Sequence, residues 1–283
     1  GFIHTKIKKN GIVIDAVNGA GSNALPALLE SLGCDVVELN CEPSGIFNRG
    51  TEPLPENLED LSNAVIQHGA DAGFAVDPDA DRLAVVDENG KPLGEEYTLV
   101  LAADGYMKNV KKEDETFVVN LSTSMALEKL SIKNNIKVER SAVGEINVVN
   151  KMNELSSNFG GEGNGGVILR ESHLGRDSLV AATMVLNRMS QSEDPLSQLH
   201  ASLPQFQIIK DKISLEGIDP KVLIHKVESL FKEASKSTID GIKFTWEDKW
   251  VHLRKSNTEP IMRIYAEASD QESALSLIKS IKE

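Results

Sequence analysis

The sequence predicts an α/β protein: two consecutive three-layer α/β domains with mainly parallel sheets, followed by a smaller antiparallel α+β domain. The length of 283 residues fits two typical domains or three small ones. Up to about residue 205, short β-branched runs alternate with helical patterns, as in parallel sheets. Beyond residue 205, strand patterns follow one another directly, which indicates antiparallel pairing.

The first domain is predicted over residues 1–107. Its first strand pattern, Gly-Ile-Val-Ile-Asp, is short and β-branched, and the helical pattern that follows stops at Gly33. Alternation of this kind continues to a last helix and a charged junction at 108–115. Strands are predicted at 11–15, 35–39, 72–76 and 83–87, and helices at 23–32, 55–68 and 97–107.

The second domain is predicted over residues 108–205 and the third over 206–283. In the second, strands are predicted at 116–121 and 137–139, helices from 124 and at 145–155 and 177–188, and a glycine-dense loop at 160–166. In the third, strands are predicted after 205 and at 241–245, 250–254 and 261–268, and helices at 220–235 and 270–281.

Composition excludes several classes of partner. Forty-three acidic against thirty basic residues leave a formal net charge of −13, which disfavours nucleic acid as a partner. No apolar run approaches the roughly 18 residues of a membrane span, so no membrane partner is expected.

Cys34 and Cys41 have the spacing of neither a zinc ribbon nor a redox pair, and we expect reduced thiols in the cytoplasm. The chain has no initiator methionine, so a longer natural protein is expected.

The most distinctive motif is Asp77-Pro-Asp79-Ala-Asp81-Arg82, between two strand patterns. Carboxylates at alternate positions of an extended loop point to one side and repel one another unless a cation compensates them. This arrangement suits Mg²⁺ that holds a phosphoryl oxygen, which Arg82 would help to neutralise. A solvated acidic turn is the alternative, but the flanking strand patterns are those of buried strands.

The same segment partly matches an EF-hand, because Asp77, Asp79, Asp81 and Glu88 fall on positions 1, 3, 5 and 12 of such a loop. Position 6 of an EF-hand is Gly, which allows a sharp turn, whereas this chain has Arg82 there. The flanking segments are also strand patterns rather than helices. The sequence therefore excludes an EF-hand.

A second motif is the glycine-dense segment 160–166, which carries Glu162 and Asn164. Glycines let the backbone approach a ligand, while a carboxylate and an amide suit a diol or a sugar edge. A purely structural turn is the alternative. Shortly afterwards, His173, Arg176 and Asp177 lie within five positions, and Asp177 is also predicted to cap the next helix.

A third motif lies between two strand patterns of the third domain. Hydroxyls, an amide and fixed cations on one loop favour a phosphate site, because a dianion needs several donors together. A polar hairpin is the alternative. The residues are Arg254, Ser256, Asn257, Thr258 and, three residues after Pro260, Arg263.

Together the three motifs resemble those of the α-D-phosphohexomutases, a family that includes phosphoglucomutase, phosphomannomutase and phosphoglucosamine mutase. They are similar to the family's metal loop, sugar loop and phosphate loop, in that order, and cover its second, third and fourth domains. The form Gly-Glu-Gly-Asn-Gly-Gly-Val resembles the archaeal-type branch, which acts on hexose or hexosamine phosphates.

The resemblance implies Mg²⁺ as the cofactor and a hexose or hexosamine phosphate as the substrate. It implies that Asp77, Asp79 and Asp81 bind Mg²⁺ together with a phosphoserine, whose phosphoryl group passes to the sugar to give a bisphosphate. Arg82 and His173 would take catalytic roles. The substrate-binding residues it implies are Glu162, Asn164, Arg176, Asp177, Arg254, Ser256, Asn257, Thr258 and Arg263.

Two features depart from the family pattern. No segment resembles the Ser-His-Asn-Pro motif of the family's catalytic serine, so the N-terminal serine domain is expected to be missing and the chain to be inactive alone. The segment from Arg140 to Gly144 lacks the lysine of the phosphomannomutase branch, which leaves the general acid/base unassigned. Two alternatives stay open: a natural short sugar-phosphate-binding protein, and a phosphatase with Asp77 as nucleophile.

Overall fold

The computed structural model describes residues 11–109, 115–256 and 258–283. Over these ranges the chain forms two four-stranded sheets and one five-stranded sheet, in that order along the sequence. The first two sheets are mixed but mainly parallel, and the third is antiparallel throughout. The predicted fold class is therefore confirmed.

The first sheet has the strand order β2-β1-β3-β4, with β1 parallel to both β2 and β3 and with β4 antiparallel. Successive side chains of β1 point to opposite faces, and Ile12 and Val13 are both fully buried, so apolar layers cover both faces. The elements are β1 (Gly11–Asp15), α1 (Gly21–Ser31), β2 (Asp35–Leu39), α2 (Glu59–His68), β3 (Ala72–Val76), β4 (Leu83–Asp87) and α3 (Glu95–Asn109).

The second sheet repeats this topology in the order β6-β5-β7-β8. The glycine-dense segment predicted as a loop supplies parts of two strands, with a turn between them. A side chain at position 160 would approach the carbonyl oxygen of Val118 to 2.6 Å, so glycine lets β7 pack against β5. The elements are β5 (Thr116–Asn120), α4 (Met125–Lys133), β6 (Lys137–Ser141), α5 (Glu145–Glu154), β7 (Phe159–Glu162), β8 (Gly166–Leu169), α6 (Ser178–Ser190) and α7 (Leu196–Ala201).

The third sheet has the order β10-β11-β12-β13-β9. The helix predicted over 220–235 ends at Leu230, and a short strand follows that the sequence did not predict, because Ser-Lys-Ser has no apolar pattern. The elements are β9 (Gln207–Ser214), α8 (Pro220–Leu230), β10 (Ser235–Ser237), β11 (Ile242–Thr245), β12 (Trp250–Lys255), β13 (Ile261–Ala268) and α9 (Gln271–Lys282).

One apolar core runs through the first two domains, and the third domain has its own. Helix α3 joins the two parts of the shared core, because it packs against α6, against β4 of the first sheet and against β7 and β8 of the second. The predicted boundary at residue 107 falls near the end of α3, which includes the first two residues of the junction predicted at 108–115; residues 110–114 of that junction lie outside the described residues. None of the described helices has the length and hydropathy of a membrane-spanning segment.

Candidate active site

The Asp77–Arg82 segment connects β3 to β4. Asp77 is buried, Asp81 is half-buried and Asp79 is exposed, and one carboxylate oxygen from each lies within 4.8 Å of the other two. Ala80 has a φ of 59°, a left-handed conformation that folds the loop back on itself. The structure therefore brings together the three carboxylates that the sequence singled out.

Hydrogen bonds to the Asp77 carboxylate fix the conformation of this loop. Its Oδ1 accepts hydrogen bonds from the backbone N–H groups of Asp81 and Arg82, both at 3.0 Å. Its Oδ2 accepts from Nε of Arg82 at 2.6 Å. Burial raises the pKa of Asp77, but the hydrogen bonds and the charge of Arg82 outweigh it and hold the pKa below its ordinary value. Asp77 is therefore an ionised carboxylate with a fixed orientation.

Asp81 lies in a different environment. Its Oδ2 accepts a hydrogen bond from Nη2 of Arg176, whereas its Oδ1 is buried and accepts none from the described residues. Burial raises the pKa of Asp81 to about 6, against the attraction of Arg176. A buried carboxylate oxygen without a donor, beside two further carboxylates, is a donor set that suits a hard divalent cation such as Mg²⁺.

Arg176, predicted to bind substrate, is occupied by three carboxylates of the protein. Besides Asp81, its guanidinium contacts Glu145 at 3.0 Å and Glu162 at 3.1 Å. Because a guanidinium offers five N–H donors in one plane, a single side chain can serve all three partners. Arg176 thus joins the acidic loop to the glycine-dense loop.

Glu162, at the end of β7, is the buried carboxylate of the glycine-dense loop. Its Oε1 accepts from Nδ2 of Asn120 at 2.7 Å and from the backbone N–H of Gly144 at 2.8 Å, and its Oε2 accepts from Arg176. A carboxylate has about four acceptor positions, so three protein donors leave it one for a ligand.

A cavity of about 350 Å³ opens where these loops meet. Its residues come from all three sheets or from the connections beside them, and charged side chains of both signs line it. The acidic side chains are Glu52, Glu95, Glu96 and Glu162. The basic side chains are Arg82, Lys210, Arg254 and Arg263. Asn164 also lines the cavity, beside Glu162.

Three of the four basic side chains, those of Lys210, Arg254 and Arg263, lie on one face of the third sheet. Arg254 pairs across β12 and β13 with Arg263, and both line the cavity. Nε of Arg254 lies 2.8 Å from Asp240 Oδ2, which also accepts from the backbone N–H of Val143 at 3.0 Å. Asp240 therefore fixes the Arg254 guanidinium and joins the third domain to the second.

The remaining predicted phosphate-loop residues follow β12. Ser256 is buried, and its Oγ accepts from the backbone N–H groups of Thr258 at 3.4 Å and Glu259 at 3.3 Å. Thr258 is exposed, and Asn257 lies outside the described residues. Neither Ser256 nor Thr258 is among the described residues that line the cavity. Their assignment to the phosphate loop stays a prediction.

Asp177 caps helix α6, as predicted, because its Oδ1 accepts from the backbone N–H groups of Leu179 at 2.7 Å and Val180 at 3.2 Å. Its Oδ2 lies 2.9 Å from Nε2 of His173, whose side chain is 51% exposed. Neither residue is among the described residues that line the cavity. The structure thus gives Asp177 a helix-capping position and places His173 beside it.

Comparison with known proteins connects this architecture to a family. Three family models match the chain in succession: phosphoglucomutase/phosphomannomutase alpha/beta/alpha domain II over residues 2–90, domain III over 94–206 and the C-terminal domain over 215–283. The chain belongs to the phosphoglucomutase/phosphomannomutase family. The order of its three domains is the order of domains II, III and IV of that family.

Individual relatives agree with this assignment. The chain is 38% identical to a phosphoglucomutase/phosphomannomutase of Thermococcus kodakarensis, over 95% of this chain and 59% of that protein. It is 34% identical to a probable phosphoglucosamine mutase of Methanopyrus kandleri, over 94% of this chain and 59% of that protein. A crystal structure of a phosphoglucomutase/phosphomannomutase family protein from Burkholderia thailandensis has a TM-score of 0.84 at 26% identity, over 97% of this chain and 60% of that one. The chain thus spans about 60% of the length of these relatives.

Several cavity residues of this family member were not identified from the sequence. Glu96 stands at the start of α3, Lys210 on β9, and His252 and Tyr265 on the third sheet. Strand alternation was the available signal, since His252 lies two residues from Arg254 and Tyr265 two from Arg263, on the same face. Nothing in the sequence pattern indicates that Glu96 faces the glycine-dense loop.

Proposed function

We propose that these three domains form the metal-, sugar- and phosphate-binding part of a Mg²⁺-dependent phosphohexomutase. The enzyme would interconvert the 1-phosphate and 6-phosphate of a hexose or hexosamine through a phosphoserine and a bisphosphorylated sugar. One observation carries the proposal: a single cavity is lined by carboxylates and by basic side chains from different domains, next to the three-aspartate loop. The relatives are phosphosugar mutases, which supports the same class of reaction.

The acidic loop is the proposed reacting end of the cavity. Asp77, Asp79 and Asp81 would hold Mg²⁺, which when bound supplies positive charge to a transferring phosphoryl group. Arg82, held by Asp77 and lining the cavity, would donate hydrogen bonds to the same group. Phosphoryl transfer depends chiefly on such positioning and charge stabilisation.

The third sheet carries the proposed site of the phosphate that does not react. Arg254 and Arg263 present guanidinium groups from adjacent strands, which suits bidentate recognition of a phosphate dianion. Glu162 and Asn164, between the two ends, would hold sugar hydroxyls. A ligand with phosphates at both ends could then bind in either orientation, as a bisphosphate intermediate requires.

The phosphoryl carrier is proposed to be a serine outside these 283 residues, since no segment of the chain resembles the family's serine motif. The isolated chain is therefore expected to bind sugar phosphate without turning it over. Without the phosphoserine, the phosphoryl group that has to pass to the sugar would be missing.

Two measurements test this proposal. Titration calorimetry of the purified chain should detect binding of glucose 6-phosphate and of Mg²⁺. Arg254→Leu should weaken the binding of glucose 6-phosphate by about tenfold or more, because a charge-assisted hydrogen bond is lost. A coupled assay should show mutase activity only when a protein carrying the serine is present. Turnover by the isolated chain would contradict the proposed carrier, and failure to bind sugar phosphate would contradict the proposed site.

The two alternatives give different results. A natural short binding protein would bind sugar phosphates, but the full gene product would show no turnover. An aspartyl phosphatase would need Asp77 as nucleophile, so the isolated chain would release phosphate from the sugar and Asp77→Asn would abolish the release.

A further inference from the structure

Glu96 occupies a defined place in the cavity that the proposed roles leave unused. Its Oε2 accepts a hydrogen bond from the backbone N–H of Ser124 at 2.9 Å, and this bond holds the carboxylate in position. The carboxylate packs against Gly163 so closely that a Cβ atom there would lie 1.9 Å from Oε2. Only glycine permits this approach. Glu96 and the glycine-dense loop therefore form two neighbouring surfaces of one cavity.

Glu96 differs from the other cavity carboxylates in its ion pairing. The other three cavity carboxylates have cationic partners: Glu52 with Arg82 at 3.7 Å, Glu95 with Lys210 at 3.0 Å and Glu162 with Arg176 at 3.1 Å. Among the described cavity carboxylates, Glu96 alone makes no ion pair. A half-buried carboxyl group that makes no ion pair and lines a ligand cavity can ionise to pair with a cation on the ligand.

We propose that Glu96 is a specificity-determining residue that pairs with the ammonium group of an amino sugar phosphate. The inference rests on the proposed function and narrows its substrate class to hexosamine phosphates with a free amine. A hydroxyl or an N-acetyl group is neutral and cannot compensate the carboxylate, so the corresponding hexose phosphate binds less tightly.

The protonation of Glu96 gives a second signature of this pairing. Burial raises the pKa of Glu96 to about 8, and the nearby charges are Lys210, which lowers it, and Glu267 and Glu95, which raise it further. At pH 7 the free carboxyl is therefore mostly protonated. An ammonium group that binds beside it favours the ionised form, so binding of an amino sugar releases a proton that binding of a neutral sugar does not.

Titration calorimetry at pH 7 with glucosamine 6-phosphate and glucose 6-phosphate tests the proposal. The chain should bind the amino sugar about tenfold more tightly, the effect of one charge-assisted hydrogen bond. Glu96→Gln keeps the shape and the acceptor for Ser124 but removes the charge. It should reduce the preference to less than about twofold and leave the affinity for glucose 6-phosphate unchanged. Glu95→Gln is the matched control and should keep the ratio of the two affinities, because Glu95 is already paired with Lys210.

The outcomes separate this inference from the proposed function. Equal affinity of the wild-type chain for the two sugars, or an unchanged preference in E96Q, overturns the role of Glu96 and leaves the function standing. Binding of neither sugar overturns the proposed function itself. Repeating the wild-type titrations in buffers of different ionisation enthalpy needs no variant. Greater proton release with glucosamine 6-phosphate supports the pairing, and equal release contradicts it.

Discussion

Arg176 shows how much of this site depends on a single side chain. One guanidinium contacts Asp81 of the acidic loop, Glu162 of the glycine-dense loop and Glu145 at the start of α5. These carboxylates come from segments far apart in sequence, and they would repel one another without it. The two loops that are proposed to hold the metal and the sugar are therefore fixed relative to each other by Arg176.

Replacing Arg176 by Leu should lower the free energy of unfolding by about 2 kcal/mol, because it leaves Glu162 buried without its cation. Urea unfolding measures the change. Arg263→Leu is the matched control, since Arg263 is 43% exposed and its partner Glu259 lies 4.0 Å away. The control should change stability by less than about 0.5 kcal/mol. Equal losses in both variants would show that Arg176 has no special structural role.

His252 should make stability depend on pH. It lies buried between Ser122 and the carbonyl oxygen of Asp240, and burial lowers its pKa to about 4. The unfolded chain, with a pKa near 6.5, takes up the proton first as pH falls, so the contribution of neutral His252 is present above about pH 6.5 and is lost toward pH 4. The denaturation midpoint should therefore fall more steeply between pH 7 and pH 5 in the wild-type chain than in His252→Asn. Parallel profiles would contradict this assignment.

At the scale of elements, helix α6 connects the fold to the acidic loop. Asp177 caps the helix, and Oγ of Ser178 at its first position donates to the carbonyl oxygen of Ala80 at 2.7 Å. Ala80 stands between two of the proposed metal ligands and has a left-handed backbone. The start of α6 therefore supports the loop conformation that brings the carboxylates together.

Asp177→Ala should destabilise the protein by about 1 kcal/mol through loss of the helix cap. It should also weaken Mg²⁺ binding in calorimetry, because the first turn of α6 no longer holds Ala80 in place. Asp219→Ala is the matched control, since Asp219 caps α8 in the third domain through the backbone N–H of Lys221. The control should lose similar stability and keep its Mg²⁺ affinity. A loss of affinity in both variants would contradict the local connection.

The sequence predicted the regular elements best where burial follows a simple pattern. Strands such as Ala72–Val76 and Ile261–Ala268 were predicted at their observed bounds because they are continuous or alternating apolar runs. The strand Ser235–Ser237 was missed, since pairing with a neighbour rather than apolar character defines it. The three loops of the candidate site were identified by residue type. Glu96 and Lys210 were not, because the place of Glu96 depends on how α3 packs against the second domain and that of Lys210 on how the third domain packs against α3.

At the scale of the whole molecule, buried polar side chains connect the third domain to the second. Glu267 of β13 is fully buried and accepts hydrogen bonds from Oγ of Ser124, from the backbone N–H of Met125 at 2.9 Å and from Nε1 of Trp250. Nζ of Lys243 also reaches the second domain, donating to the carbonyl oxygen of Leu121 at 2.7 Å. The start of α4 is thus anchored to the third sheet by polar contacts.

Glu267→Ala should lower the free energy of unfolding by about 3 kcal/mol, because three buried donors lose their acceptor. It should also separate the thermal unfolding of the third domain from that of the first two, and differential scanning calorimetry detects a second transition. Glu272→Ala, on the exposed face of α9, is the matched control and should leave the profile unchanged. A single unshifted transition in Glu267→Ala would contradict the anchoring role.

The continuous apolar core beneath α3 and α6 has a consequence for ligand exchange. Because the first two domains share this core, we expect them to move together and the cavity to open where the third domain meets them. Opening there would carry the guanidinium groups away from the carboxylates and release both ends of a bound sugar in one movement. Entry and departure of ligand would then be paced by the breaking of the contacts of Glu267, Lys243 and Asp240 rather than by any loop of the first two domains.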